Sequence, residues 1–122
     1  MAAASILLVD DDEDTYASMS DVFLDLGYTV DMAHDGPGAL ELSRSNQYRL
    51  ALLDYNMPGM DGLELCRRLK TTQPSVVVAL ITAFSSVATT GAAAGAGVRC
   101  SLLKPVNFSA LMPLVEEAVG SA

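Results

Sequence analysis

Basic residues are scarce in this sequence of 122 residues. Seven lysine and arginine side chains stand against fifteen aspartates and glutamates, which gives a formal net charge of −8. A chain of this charge is repelled by phosphate backbones, so we expect no direct binding to nucleic acid. No apolar run approaches the roughly 18 residues of a membrane-spanning helix. Residues 1–5 also lack the basic start and apolar stretch of a secretory signal.

Cysteine and histidine are rare as well. Cys66 and Cys100 lie far apart without the spacing of a metal site, and the single histidine, His34, cannot form one alone. Two reduced, mostly buried thiols are typical of a cytoplasmic protein, which is the location we expect. Neither a linker nor an internal repeat divides the chain, so we expect a single domain over residues 1–122.

Short apolar runs alternate with longer segments of helical period, which predicts an α/β fold with a parallel sheet covered on both faces. The first helix has apolar residues at helical spacing, and Gly27 is expected to end it. Residues 86–96 predict a fourth helix that is loosely held, because it has few large apolar residues and contains Gly91 and Gly95. The apolar positions of the first helix are Met19, Val22, Phe23 and Leu26.

Four of the apolar runs stop at a reactive polar group. In a parallel α/β sheet, ligands bind outside the carboxyl ends of the strands. The groups at these ends are therefore expected to lie close together, although they are far apart in sequence. The runs end at Asp10-Asp11-Asp12 after Val9, at Asp54 after Leu53, at Thr82 after Ile81, and at Lys104-Pro105 after Leu103.

These groups predict chemistry on a phosphoryl group. Carboxylates about 5 Å apart repel each other by roughly 3 kcal/mol at an effective dielectric constant near 20. A hard cation such as Mg²⁺ offsets that repulsion and can keep a phosphate oxygen as a further ligand. Lys104 adds a second positive charge, and Thr82 can donate a hydrogen bond to a phosphoryl oxygen. Asp54 is then the candidate nucleophile for in-line attack on phosphorus.

The same residues resemble the receiver domain of two-component response regulators, the fold of the chemotaxis regulators. The resemblance extends from about Ser5 to Val119. It implies a single doubly wound, flavodoxin-like parallel sheet of five strands in the order 2-1-3-4-5, with five helices. The matching blocks are Leu8-Val9-Asp10-Asp11, the run from Asp54 to Gly62, Thr82-Ala83 and Lys104-Pro105.

The resemblance also implies roles for the acidic residues. Asp54 is the implied phosphoacceptor, which receives the phosphoryl group from a histidine kinase or a phosphotransfer protein. Asp11 and Asp54 are the implied side-chain ligands of Mg²⁺. Asn56 is implied to bind the ion through its main-chain carbonyl, and Asp10 largely through water.

Further roles concern the switch. Lys104 is implied to pair with the phosphoryl group and to precede a cis Pro105. Thr82 is implied to move toward the phosphoryl group and to change the face formed by the predicted 86–96 helix, the fifth strand and the last helix, where a downstream protein docks. Ser101 departs from the family pattern, since many receivers carry an aromatic residue there. The resemblance also implies that Phe84 flanks the path of the water that hydrolyses the phosphoaspartate.

We therefore interpret the chain as a phosphorylation-controlled signalling switch, not an enzyme that acts on outside substrates. One alternative is a degenerate receiver that serves as a constitutive docking module, which Ser101 and the weak 86–96 helix leave open. A metal-dependent phosphatase with an aspartyl intermediate is a second alternative. It requires a general acid, and no candidate follows the first strand.

Overall fold

The computed structural model describes residues 5–55, 59–82, 95–103 and 106–119. Within them, no helix is both long enough and apolar enough to cross a membrane. Strands and helices alternate from the first strand to the fourth. The elements are β1 (Ser5–Val9), α1 (Glu13–Asp25), β2 (Thr29–Ala33), α2 (Gly36–Ser45), β3 (Leu50–Asp54), α3 (Gly62–Thr72), β4 (Val77–Thr82), β5 (Val98–Leu103) and α4 (Phe108–Val119).

The five strands form one parallel sheet in the order β2-β1-β3-β4-β5, which confirms the predicted order. β1 and β3 are neighbours, and Val9 pairs with Leu53. β3 and β4 are also neighbours, and Asp54 pairs with Ile81. Because the strands are parallel, the carboxyl ends of β1, β3 and β4 meet at one side of the sheet, which we call the C-terminal edge.

Each face of the sheet carries its own apolar layer. On one face, Leu53 of β3 belongs to a buried cluster with Leu65 of α3. On the other face, Leu52 belongs to a buried cluster with Phe23 of α1. Every residue of β3 is buried, which explains why this strand is continuously apolar up to Asp54. Burial of each such leucine contributes about 1.5–3 kcal/mol, so the core holds the strand ends in a defined register.

Helix α1 ends where the sequence predicts. Gly27 has a φ of 92°, in the left-handed region that glycine adopts at little cost. Met19 and Phe23 are buried, as their helical spacing indicates. The same pattern is wrong for Leu26, which is 51% exposed. Leu26 is the C-cap of α1, so the helical period no longer directs its side chain toward the core.

The predicted number of helices is not reached in the part of the chain that is described. Residues 5–55, 59–82, 95–103 and 106–119 contain four helices, instead of the five expected. Most of the predicted 86–96 helix, with Gly91, falls outside the described residues. Gly95 and Ala96 are described as helical and directly precede the turn at Gly97. The fifth helix is therefore represented only by these two residues.

A buried polar network joins β2, α2, the segment before β3 and the end of α3, away from the C-terminal edge. Gln73 is 4% exposed, and its Oε1 accepts a hydrogen bond from the Tyr48 N–H at 2.8 Å. Its Nε2 donates to the carbonyls of Ser43 and Asn46 at 3.0 and 2.7 Å. The Tyr48 hydroxyl donates to the Asp31 carboxylate at 2.6 Å. Burial raises the pKa of Tyr48, and this hydrogen bond raises it further.

Removal of the Tyr48 hydroxyl should destabilise the fold at neutral pH and change its response to alkali. Tyr48→Phe should lower the free energy of unfolding by about 1–2 kcal/mol at pH 7, because the Asp31 carboxylate loses its donor. The pKa of Tyr48 is raised in the folded state above the ordinary value of 10.0. The stabilisation is therefore complete below that pH and is lost as the pH rises further.

Urea unfolding of both proteins between pH 7 and pH 11 measures this effect. The difference in unfolding free energy between wild type and Tyr48→Phe should shrink above pH 10. A matched control is Tyr28→Phe, since the Tyr28 ring packs edge-on to Phe23 with centroids 6.5 Å apart. A difference that stays constant over the whole range would show that the Tyr48 hydroxyl does not act in this way.

Candidate functional site

Strand register brings three carboxylates together at the C-terminal edge. Asp10 follows Val9, the last residue of β1, and Asp54 is the last residue of the neighbouring strand β3. Since Val9 pairs with Leu53, Asp10 and Asp54 lie at the same level. One carboxylate oxygen from each of Asp10, Asp11 and Asp54 lies within 4.8 Å of the other two. We call these three residues the carboxylate cluster.

The carboxylate cluster combines burial with like charge. Asp10 and Asp54 are 2% and 3% exposed, while Asp11 is exposed. Two unit charges 4.8 Å apart repel by about 3 kcal/mol at an effective dielectric constant of 20. Burial adds a desolvation cost for the charges of Asp10 and Asp54. A bound cation removes both costs, so the cluster favours binding of a positive ion.

The composition of the cluster suits a hard divalent cation. Mg²⁺ binds oxygen ligands at about 2.1 Å in octahedral geometry, so its ligand oxygens lie about 3 to 4 Å apart. Three oxygens within 4.8 Å reach that spacing by small side-chain movements. Asp10, Asp11 and Asp54 are therefore the described residues that could hold Mg²⁺, with other positions left for water or a phosphate oxygen.

Asp10 also shapes the turn into α1. Its N–H donates to the Ala33 carbonyl at 3.2 Å, and its Oδ1 accepts from the Asp12 N–H at 2.8 Å. Asp12 in turn is the N-cap of α1 and accepts from the Asp14 N–H at 3.1 Å. This capping role of Asp12 is not among the roles predicted above. Its position directly before a helical segment is the signal that indicates an N-cap.

The end of β3 is held on both sides of Asp54. Leu53 pairs with Val9 of β1 and with Leu80 of β4. Beyond the strand, the Tyr55 N–H donates to the Ile81 carbonyl at 2.9 Å. The residues directly before and after Asp54, the candidate nucleophile, are therefore both bonded to neighbouring strands.

The other predicted site residues divide into two groups. Thr82 is the last residue of β4 and is 1% exposed, so it lies at the C-terminal edge. Ser101 is half-buried in β5, the strand next to β4, and pairs with Leu80 of β4. The second group falls outside the described residues and consists of Asn56, Phe84, Lys104 and Pro105.

Comparisons with known proteins identify what this arrangement resembles. The sequence profile of the response regulator receiver domain family matches residues 6–116. The transcriptional regulatory protein ZraR of Klebsiella oxytoca is 38% identical over 114 residues, which cover 93% of this chain and 26% of that protein. This chain thus spans about a quarter of the length of that relative.

Solved structures show the same fold. A CheY-like receiver domain protein from Methanospirillum hungatei has a TM-score of 0.89 at 27% identity, over 97% of this chain and 94% of that one. The response regulator TrrA of Thermotoga maritima, in complex with Mg(2+)-BeF, has a TM-score of 0.85 at 28% identity. The match covers 94% of this chain and 98% of TrrA.

Charge removal at Asp11 should have opposite effects with and without Mg²⁺. Asp11→Asn should stabilise the metal-free protein by about 1 kcal/mol, because the repulsion is relieved but is partly screened at this exposed position. It should also weaken Mg²⁺ binding by roughly tenfold or more, since the charge of the ligand set falls. Thermal unfolding at increasing Mg²⁺ concentration measures both quantities.

Asp21→Asn is the matched control, because Asp21 is an exposed residue of α1 outside the carboxylate cluster. It should respond to Mg²⁺ as the wild type does. An Asp11→Asn protein with the full wild-type response would contradict the assignment of Asp11 to a metal site.

Proposed function

This chain belongs to the response regulator receiver domain family of two-component systems, and we propose that it is a switch controlled by phosphorylation of Asp54. The observation that carries the proposal is the carboxylate cluster, which contains a buried Asp54 at the carboxyl end of a central strand. The phosphodonor is a histidine kinase or a phosphotransfer protein. The relative TrrA, solved with Mg(2+)-BeF, supports a magnesium-dependent reaction in this chain.

The chemistry is an in-line transfer to a carboxylate oxygen. An oxygen of Asp54 attacks phosphorus, and the new P–O bond forms as the P–N bond to the donor histidine breaks. The imidazole nitrogen keeps the electron pair. Asp11, Asp54 and the Asn56 carbonyl would hold Mg²⁺, with Asp10 acting through water, and the bound ion would supply charge neutralisation for the phosphoryl oxygens. Lys104 pairs with the same oxygens.

The output follows from Thr82 at the C-terminal edge. Its hydroxyl binds the phosphoryl group, and this contact shifts the protein between two states. The change reaches a downstream protein through the face formed by the predicted 86–96 helix, β5 and α4. On this face the Arg99 guanidinium donates hydrogen bonds to both oxygens of the Glu117 carboxylate, at 2.8 and 2.9 Å.

Ser101 supports a second candidate function. It lies half-buried in β5, at the position where many receivers carry an aromatic residue that rotates with the switch threonine. Without that aromatic ring, transmission from Thr82 could be lost while the docking face persists. The chain would then act as a constitutive docking module.

Phosphorylation by a small donor tests the proposed function. Wild-type protein incubated with acetyl phosphate and Mg²⁺ should gain a stable phosphoryl group, detected by intact mass, and should gain none when Mg²⁺ is chelated. Asp54→Asn should abolish the adduct, whereas Asp21→Asn should retain it. Absence of an adduct in the wild type would support the docking module. Rapid release of free phosphate without a stable adduct would support a phosphatase.

Phe84 should slow the loss of the phosphoryl group. A large apolar side chain beside the path of the hydrolytic water hinders that water, whereas a carboxylate can orient it. Phe84→Glu should therefore dephosphorylate faster than the wild type in a phosphate-release assay. Phe84→Leu is the control that keeps an apolar side chain and should stay close to wild type. Equal or slower release by Phe84→Glu would refute this role.

A further inference from the structure

Gly62 begins α3 in close contact with the backbone that carries Asp54. A Cβ atom built on Gly62 would lie 2.8 Å from the Asp54 carbonyl oxygen and 3.0 Å from the Tyr55 Cα. It would also lie 2.8 Å from the Leu80 Cδ2. Two of these three atoms are carbons, and non-bonded carbons pack best about 3.5–4.0 Å apart. Only a residue without a side chain can occupy this position with the surrounding atoms where they are.

A hydrogen bond joins the same two segments. The Gly62 N–H donates to the Tyr55 carbonyl at 3.0 Å. At the other side, the Tyr55 N–H donates to the Ile81 carbonyl at 2.9 Å. Tyr55, the residue after Asp54, is therefore held between the start of α3 and the end of β4.

We propose that Gly62 is a positioning residue for the carboxylate cluster: it lets α3 start against the Asp54–Tyr55 peptide and so sets the place of the Asp54 carboxylate. The part of this inference that concerns phosphoryl transfer rests on the proposed function. The part that concerns metal binding rests only on the carboxylate cluster.

A methyl group at position 62 must displace either α3 or the end of β3. α3 is anchored by Leu65, Cys66 and Leu69, which are 0%, 0% and 1% exposed. Two of the three close atoms belong to the backbone, so no side-chain rotation relieves them. Because the buried side chains of α3 resist its movement, part of the displacement falls on the Asp54–Tyr55 peptide. Misplacement of a reacting group by about 1 Å can cost roughly 100-fold in rate.

Gly36 makes a contact of a different kind. A Cβ at this position would lie 2.6 Å from the Met60 Sδ and 3.0 Å from the Met60 Cβ. The three nearest atoms all belong to this one side chain. Truncation of Met60 to alanine removes the contacts with Sδ and Cγ and leaves only the Cβ at 3.0 Å, whereas no single truncation relieves the backbone contacts at Gly62. Gly95 provides a neutral comparison, because a Cβ built there meets no atom of the described residues within 4 Å.

Three alanine variants test the inference: Gly62→Ala, Gly36→Ala and Gly95→Ala. The phosphorylation rate with acetyl phosphate at saturating Mg²⁺ is divided by the folded fraction from circular dichroism. Mg²⁺ affinity is measured separately by thermal unfolding. Gly62→Ala should lower the rate per folded molecule by about 10- to 100-fold and should weaken Mg²⁺ binding. Gly95→Ala should match the wild type, and adding Met60→Ala should restore most of what Gly36→Ala loses.

A double variant separates positioning from packing. Gly62→Ala with Leu80→Val removes the contact with the Leu80 side chain and leaves the contact with the Asp54 carbonyl. It should recover stability but not rate, and it serves as the test if Gly62→Ala alone does not fold. If Gly62→Ala has the same rate per folded molecule and the same Mg²⁺ affinity as Gly95→Ala, the inference is overturned.

Failure of the proposed function gives a different pattern. If the wild type is not phosphorylated, the proposed function fails. The comparison of Mg²⁺ affinity between Gly62→Ala and Gly95→Ala still tests the positioning role. A wild type that does not bind Mg²⁺ would overturn both.

Discussion

Like charges held close together are the constraint on which this structure depends. The pairing of Val9 with Leu53 places Asp10 and Asp54 level with each other, and Asp11 completes a cluster within 4.8 Å. These carboxylates would separate if their strands were free to slide. Apolar burial on both faces of the sheet prevents this, because each strand has a single register that keeps its leucines in the core.

Two polar regions of the molecule therefore serve different purposes. Away from the C-terminal edge, Gln73 and Tyr48 use their polar atoms to join α2, the segment before β3 and the end of α3, and Tyr48 also bonds to Asp31. At the C-terminal edge, three carboxylates lie close together, and a bound cation would lower their mutual repulsion. The first arrangement stabilises the fold by itself. The second becomes favourable when a ligand binds, which is the property of a site.

Much of this could be predicted from the sequence, because the features are local. The apolar runs, the helical period and Gly27 as a helix terminator each depend on a few neighbouring residues. The strand order and the roles of the site residues came from resemblance to the receiver family. The convergence of Asp10, Asp11 and Asp54 followed from a general rule about parallel sheets.

Other features depend on contacts between distant segments, and sequence periodicity does not record them. Gln73 bonds to Ser43 across 30 positions, and no pattern near either residue indicates this. The exposure of Leu26 depends on where α1 ends, within one residue. The contact of Gly62 with the Asp54 carbonyl requires the relative placement of α3 and β3.

The most direct test of the central claim is a crystal structure of the protein grown with Mg²⁺ and beryllium fluoride, a mimic of the phosphoryl group. The account predicts one Mg²⁺ ion about 2.1 Å from carboxylate oxygens of Asp11 and Asp54, with beryllium bonded to Asp54. An ion bound away from the carboxylate cluster, or beryllium fluoride on another residue, would contradict it.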